Sequence, residues 1–201
     1  VTIPHFVPSH AHYPPSENQR VVVFGFFTPE KGQDIIIKAW RQIGLPRAKL
    51  LLAGGARRPE DKVYLEGCRK LIREGGLDDS ISITGYLPSD QIDQVYAEAN
   101  LVVAPFRDTS GSGSLAQAFA RGAAVLASDL PLNREIAERV DGCLALFPTE
   151  SEAGCAENIR RLLLDGPALA KLSSAARRYA DRFSTPTIAK EHLSFYDSVL
   201  G

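Results

Sequence analysis

An α/β fold built on a doubly wound parallel sheet is what this 201-residue sequence predicts, and three observations carry the prediction. Short continuous apolar runs recur, each the length of a strand buried on both faces. Segments with helical spacing of apolar residues separate those runs, and strands alternating with helices argue for a parallel sheet covered on both sides. Several of the runs end in glycine-containing loops, which places those loops together at one edge of such a sheet.

Residues 1–20, with four prolines and little periodicity, read as an extended linker entering a single domain at residues 21–201. Residues 21–27 form the first apolar run, and KGQDIIIKAWRQIG follows with Ile36, Trp40 and Ile43 at helical spacing. Residues 48–53 are a second strand, and residues 59–74 a helix with Leu65, Cys68 and Ile72 inward. Residues 81–84 make a third strand, followed by a helix at 89–99 whose inward face is Ile92, Val95, Tyr96 and Ala99. A strand at 101–104, a helix at 114–121 and a strand at 124–127 come next. A helix at 133–140 and a short strand at 144–147 complete a Rossmann-like sheet of about six strands. Three helices near 151–164, 167–182 and 186–200 close the chain.

Composition narrows the function. Apolar residues make up 44% of the chain, enough for a real core. Lys and Arg number 23 against 24 Asp and Glu, and a net charge of −1 supplies no electrostatic reason for a nucleic acid partner. Cys68, Cys143 and Cys155 are odd in number and lack C-x-x-C spacing, so neither a disulfide framework nor a zinc site is indicated, and a reducing, cytoplasmic setting fits. No apolar run reaches the roughly 18 residues of a membrane span, and no charged-then-apolar signal peptide is expected ahead of the domain. The chain begins at Val1 and holds no methionine, as expected of a fragment of a longer protein or of one with a processed start.

Ligands of open parallel sheets sit beyond the carboxyl ends of the strands, so the loops at 25–31, 54–58, 85–87 and 105–114 are expected to line one cleft. The last of these, RDTSGSGS, opens a helix. Its unpaired amides and the positive end of the helix dipole favour an anion, and its glycines allow close approach. Ser110, Ser112 and Ser114 offer hydroxyls, one of them as the helix cap; a flexible capped turn is the plainer reading. Lys31, in GFFTPEKG, stands at a helix start, where a cation opposes the dipole unless an anion is near, though an exposed lysine in a tolerant turn reads equally well.

Gln117, on the first turn of that helix, has an amide for ribose or sugar hydroxyls, or faces solvent. Arg107 and Asp108 flank the loop as a phosphate and sugar pair or as an ordinary surface ion pair. Glu135 lies in a helical first turn that favours acids for structural reasons. Gly54 and Gly55, like Gly85 and Tyr86, end strands where backbone can approach a planar base. No G-x-G-x-x-G follows the first strand and no P-loop motif is present. His5, His10, His12 and His192 lack carboxylate partners at a catalytic spacing.

The segments VFGFFTPEKGQDIIIKAW, KLLLAGG, ISITGYLPSDQIDQVYAEANLVVAPF and SGSGSLAQAFARGAAVLASDLPLNREI, in this order, together with the closing helices, resemble the C-terminal nucleotide-sugar-binding domain of GT-B glycosyltransferases, specifically retaining glycosyltransferase family 4 (group 1). The resemblance runs from Val21 to Leu200 and makes the fold one half of a GT-B fold, with VTIPHF as the exit from an N-terminal domain outside this chain. It implies a donor site in which Lys31 and the amides of Ser112, Gly113 and Ser114 hold a diphosphate. The loops at Gly54 to Arg58 and Gly85 to Leu87, with Gly54, Gly55, Gly85, Tyr86 and Leu87, then hold the base, and Gly25 is a further donor-binding residue.

The family's arginine after the first strand is Phe26 here, and Thr109 and Gln117 stand where it has two glutamates; Arg107 then replaces the lost arginine. The implied function is transfer of a hexose, with retention, from a UDP-, GDP- or ADP-sugar to a glycan or lipid-linked acceptor, with no separate cofactor and no metal. The isolated domain is expected to be inactive, and peripheral membrane contact, at the inner membrane surface, would come through the other domain. The alternative is a nucleotide-sugar-binding module that has lost transfer activity.

Overall fold

A computed structural model describes residues 4–14, 18–109 and 112–200. Six parallel strands form one sheet in the order β3-β2-β1-β4-β5-β6: β1 Arg20–Phe24, β2 Lys49–Ala53, β3 Ile81–Ile83, β4 Leu101–Ala104, β5 Val125–Ser128 and β6 Ala145–Phe147. The intervening helices are α1 Gln33–Ile43, α2 Asp61–Glu74, α3 Ser89–Ala97, α4 Gly113–Ala120 and α5 Pro131–Arg139, and α6 Glu152–Leu163, α7 Gly166–Arg182 and α8 Thr185–Leu200 follow. The strand order reverses between β1 and β4, where Val21 pairs with Leu101, and a ligand crevice opens at such a switch point.

The continuous apolar runs are explained by burial on both faces. Val21 and Val23 join Leu50, Leu52, Leu101 and Leu126 in the core under α1, α2 and α6. Val22 points the other way, with Val102 and Val125, into the core beneath α4 and α7. Trp40, at the far end of α1, donates its indole N–H to Ser80 Oγ at 3.2 Å, at the amino-terminal end of the sheet.

Strand β1 ends at Phe24, three residues short of the run that predicts it. Gly25 breaks it with φ 141°, yet the chain stays latched to its neighbour, since Gly25 N–H donates to Ala53 O and Phe27 N–H to Gly55 O, both at 3.0 Å. Phe27 remains buried, which is why the apolar pattern outruns the strand. The segment read as a linker also leans on the domain. Val7 is buried, its amide donates to Phe183 O at 2.8 Å, and the Tyr13 amide donates to Arg121 O at 3.0 Å.

Candidate functional site

The loops beyond the carboxyl ends of β1, β2 and β3 enclose a cavity of about 220 Å³ lined by Gly25, Gly54, Gly55, Tyr86 and Leu87 together with Phe26 and Ile92. Its walls are close-set backbone. A Cβ built on Gly54, whose φ is 154°, would lie 1.9 Å from Gly25 O, and one on Gly55 would lie 3.3 Å from Tyr86 N. Thr84 Oγ1 accepts from the Gly54 amide at 3.1 Å and donates to Gly85 O at 2.7 Å, tying the β2 and β3 loops together. Tyr86 is 80% exposed and Phe26 40%, so two aromatic rings border this cavity without being packed into the core. Arg57 stands over the Phe26 ring, 5.5 Å from its centroid.

The second part of the site lies past β4. Ser112 is the N-cap of α4, its Oγ accepting from Leu115 N–H at 3.2 Å and lying 2.9 Å from Ser114 Oγ. The amides of the helix's first turn have no intrahelical acceptor and carry the positive end of its dipole. Among the described residues a Cβ at Gly113 would meet nothing within 4 Å, and Gly113 is exposed at the helix start. Thr109 stands half-buried ahead of the cap, and Ser110 lies outside the described residues. Ser112→Ala is expected to remove the cap and lower stability by about 1 kcal/mol, read from the midpoint of urea unfolding at unchanged slope.

Lys31 ends a 3-10 turn, Pro29–Lys31, and Gly32 separates it from α1. The predicted helix start is therefore a turn followed by a left-handed glycine. Gly32 has φ 66°, and a Cβ there would fall 1.9 Å from Pro105 O, so this loop lies flush against the one after β4. Lys31 Nζ stands over the Phe106 ring, 3.9 Å from its centroid. Burial pulls the Lys31 pKa below the ordinary lysine value, and the Glu30 charge opposes part of that.

Arg107 does not point its fork at an anion site, contrary to the expectation that it replaces a phosphate-binding arginine. Its Nη1 and Nη2 donate to the two carboxylate oxygens of Asp34 at 2.8 and 2.7 Å, and its Nε donates to Glu150 at 2.8 Å. Nη1 also donates to Pro29 O at 2.8 Å, so four of its donor bonds are already made within the protein. Gln117 is similarly engaged: Arg121, 3% exposed and paired with Asp93, donates to its Oε1, leaving the amide nitrogen to act.

Sequence reasoning missed Asp34 and Tyr64. The Tyr64 hydroxyl donates to Asp34 Oδ1 at 2.6 Å. Burial raises the Asp34 pKa, but the hydrogen bonds from Arg107 and Tyr64 and the charges of Arg107 and Lys38 outweigh it and hold the carboxyl below its usual value. An acid in a helix's first turn is ordinary, which hid this one. A larger cavity, about 560 Å³, begins at Ser112 and runs between residues 4–7, α4, α5 and α8, with Glu135, Arg139 and His192 among its lining residues. Among the described residues no group of three or more His, Cys, Asp or Glu could hold a metal ion, and no helix is long and apolar enough to cross a membrane.

The family model described as "Glycosyl transferases group 1" matches residues 18–165. The 2-deoxystreptamine glucosyltransferase of Streptomyces kanamyceticus is 28% identical over 96% of this chain and 53% of its own length. Sucrose-phosphate synthase from Thermosynechococcus elongatus superposes with a TM-score of 0.85 at 23% identity, over 98% of this chain and 52% of the other. The HepE protein of Anabaena, solved in complex with UDP, superposes with a TM-score of 0.82 at 24% identity, over 90% and 49%. This chain thus spans about half the length of these relatives.

Proposed function

The chain belongs to the group 1 glycosyl transferases, and from that premise we propose that it is the donor-binding domain of a retaining glycosyltransferase that moves a hexose from a nucleoside diphosphate sugar to a glycan or lipid-linked acceptor. One observation carries the proposal: a cavity walled by glycine backbone and bordered by exposed aromatics lies on the same sheet edge as a half-buried lysine and an open helix N-terminus. The cavity suits a planar base. Lys31 and the first-turn amides of α4 suit the diphosphate. The UDP bound by HepE and the glucosyl transfer named for the Streptomyces relative support the same assignment.

In this reading, charge develops on the diphosphate as the bond to the sugar breaks. Lys31 and the amides of Gly113 and Ser114 face that charge already oriented, and such fixed donors stabilise a developing anion more than water does. The donor is a substrate, and no further cofactor enters the proposal. Acceptor groups belong to the other half of a protein about twice this length, and a cytoplasmic location, with any membrane contact made by that half, completes the proposal. The isolated domain is then a binder that does not turn over.

Isothermal titration with UDP, GDP and ADP tests this. At least one is expected to bind, and at a hundred times its Kd it should raise unfolding free energy by about 2.7 kcal/mol. A folded sample that binds none of the three would sink the proposal. A second reading, a binding module without transfer activity, is favoured by Thr109 and Gln117, since Gln117 is held by Arg121 and neither residue is an acid. Turnover of a nucleotide sugar by the full-length protein would refute it.

A further inference from the structure

We propose that Arg107 is a positioning residue: it fastens the Pro29–Lys31 turn to the loop that follows β4 and so sets where the Lys31 ammonium stands relative to the first turn of α4. The inference rests on the reading of that place as a diphosphate site.

A lysine on a three-residue turn has little to hold it. The turn's own bonds are Lys31 N–H to Thr28 O at 3.0 Å and Gly32 N–H to Pro29 O at 3.2 Å. Arg107 supplies what the turn lacks. Its backbone N–H donates to Glu30 O at 2.8 Å and its Nη1 to Pro29 O at 2.8 Å, so the two carbonyls just ahead of Lys31 accept from one residue.

The same guanidinium is fixed by its two-point bond to Asp34 in the first turn of α1, and Asp34 is fixed in turn by the Tyr64 hydroxyl from α2. A planar fork bound at both prongs resists rotation in a way a single contact does not. The two residues before Arg107 complete the seat, with Pro105 O against Gly32 and the Phe106 ring under Lys31 Nζ. Ser112, the cap of α4, follows Arg107 five positions later in the chain. One fastener therefore couples the cation to the amides, and an error of about 1 Å in such a placement is costly to catalysis.

The test is a double-mutant cycle on the full-length protein, titrated with whichever of UDP, GDP and ADP the wild type binds and with the matching nucleoside. Arg107→Met should weaken diphosphate binding about tenfold and leave the nucleoside within about twofold. In a Lys31→Ala background the same change should cost less than about twofold, because nothing remains to be positioned. An undiminished loss in that background, or an equal loss for the nucleoside, overturns the proposal. Asp34→Asn keeps the shape and weakens the fork, and should reproduce a smaller Lys31-dependent loss if Arg107→Met does not fold.

A readout without nucleotide separates this inference from the donor-site reading. The Lys31 ε-methylene protons, close to the Phe106 ring, should be shifted upfield in the NMR spectrum of the wild type. Asp34→Asn and Arg107→Met should both move them toward ordinary lysine positions, and unchanged Lys31 resonances in both would overturn the positioning role even if every nucleotide failed to bind.

Discussion

Replacing Lys31 with alanine is expected to weaken nucleoside diphosphate binding by about thirty- to a hundredfold while leaving the matching nucleoside within about twofold. Removing a charged hydrogen-bond donor from a phosphate accounts for this, a loss of about 2 to 2.7 kcal/mol. The surroundings of Lys31 place it toward the upper part of that range. It is half-buried against Phe106 and anchored at a turn that packs on Pro105, so solvent screens its charge less than that of a surface lysine.

The pH dependence follows from the same burial. In the proposed donor site it is the protonated form that would bind phosphate, and burial lowers the Lys31 pKa below 10.5. Affinity is therefore retained at neutral pH and declines as pH rises through a midpoint that lies below the ordinary lysine value, and Lys31→Ala should abolish this decline. Titration calorimetry from neutral to alkaline pH measures it. An affinity for diphosphate that is unchanged in Lys31→Ala would remove Lys31 from the site.

Gly54→Ala should lower the stability of the domain by about 3 kcal/mol or more, and with it any binding that uses the β2 loop. Two penalties act together. The backbone at Gly54, φ 154°, is one that side-chain-bearing residues rarely adopt, and the new methyl would meet the Gly25 carbonyl oxygen at 1.9 Å. That oxygen is main chain, held by the Gly25–Ala53 latch, and cannot swing aside as a flexible side chain would. Gly113→Ala is the matched control, since its Cβ would have open space and its place in the first turn of α4 favours alanine. Chemical denaturation of the two variants should differ by several kcal/mol, and near-equal stabilities would show that the Gly25–Gly54 approach relaxes freely.

Much of this fold is legible in sequence because a parallel strand buried on both faces leaves an unmistakable pattern. Val21, Val22 and Val23 are all apolar because they serve two cores at once. The elements and their order follow from that, and the rule that ligands sit past the strand ends gathers Gly25, Gly54, Gly55, Tyr86 and Leu87 into one cavity, but not the loop at 105–114, whose Ser112 lines the larger cavity instead. The boundaries were harder to read: Phe27 looks like strand because it is buried, although its backbone has already turned at Gly25.

Pair identities were not legible at all. Asp34 and Arg107 lie 73 positions apart, and each has an ordinary explanation in its own neighbourhood, an acid at a helix start and a basic residue near a loop. Only the folded chain shows that they bind each other and that Arg107 is thereby withdrawn from the open site. Ser112 is intermediate, because a cap was foreseeable among three serines but its choice depends on where α4 begins.

Trp40 is the only tryptophan in the sequence, and its indole is buried at the amino-terminal end of the sheet, across the domain from the strand-end cavity. That location separates two signals that usually overlap. Excited at the red edge of indole absorption, the protein should emit from a single shielded chromophore, whose spectrum moves to longer wavelength only when the core opens to water. A nucleotide arriving at the opposite edge leaves that emission unperturbed, while the 80% exposed Tyr86 contributes little under the same excitation. The molecule therefore carries its own optical gauge of folding, one blind to occupancy, against which loss of binding in any variant can be sorted from loss of structure.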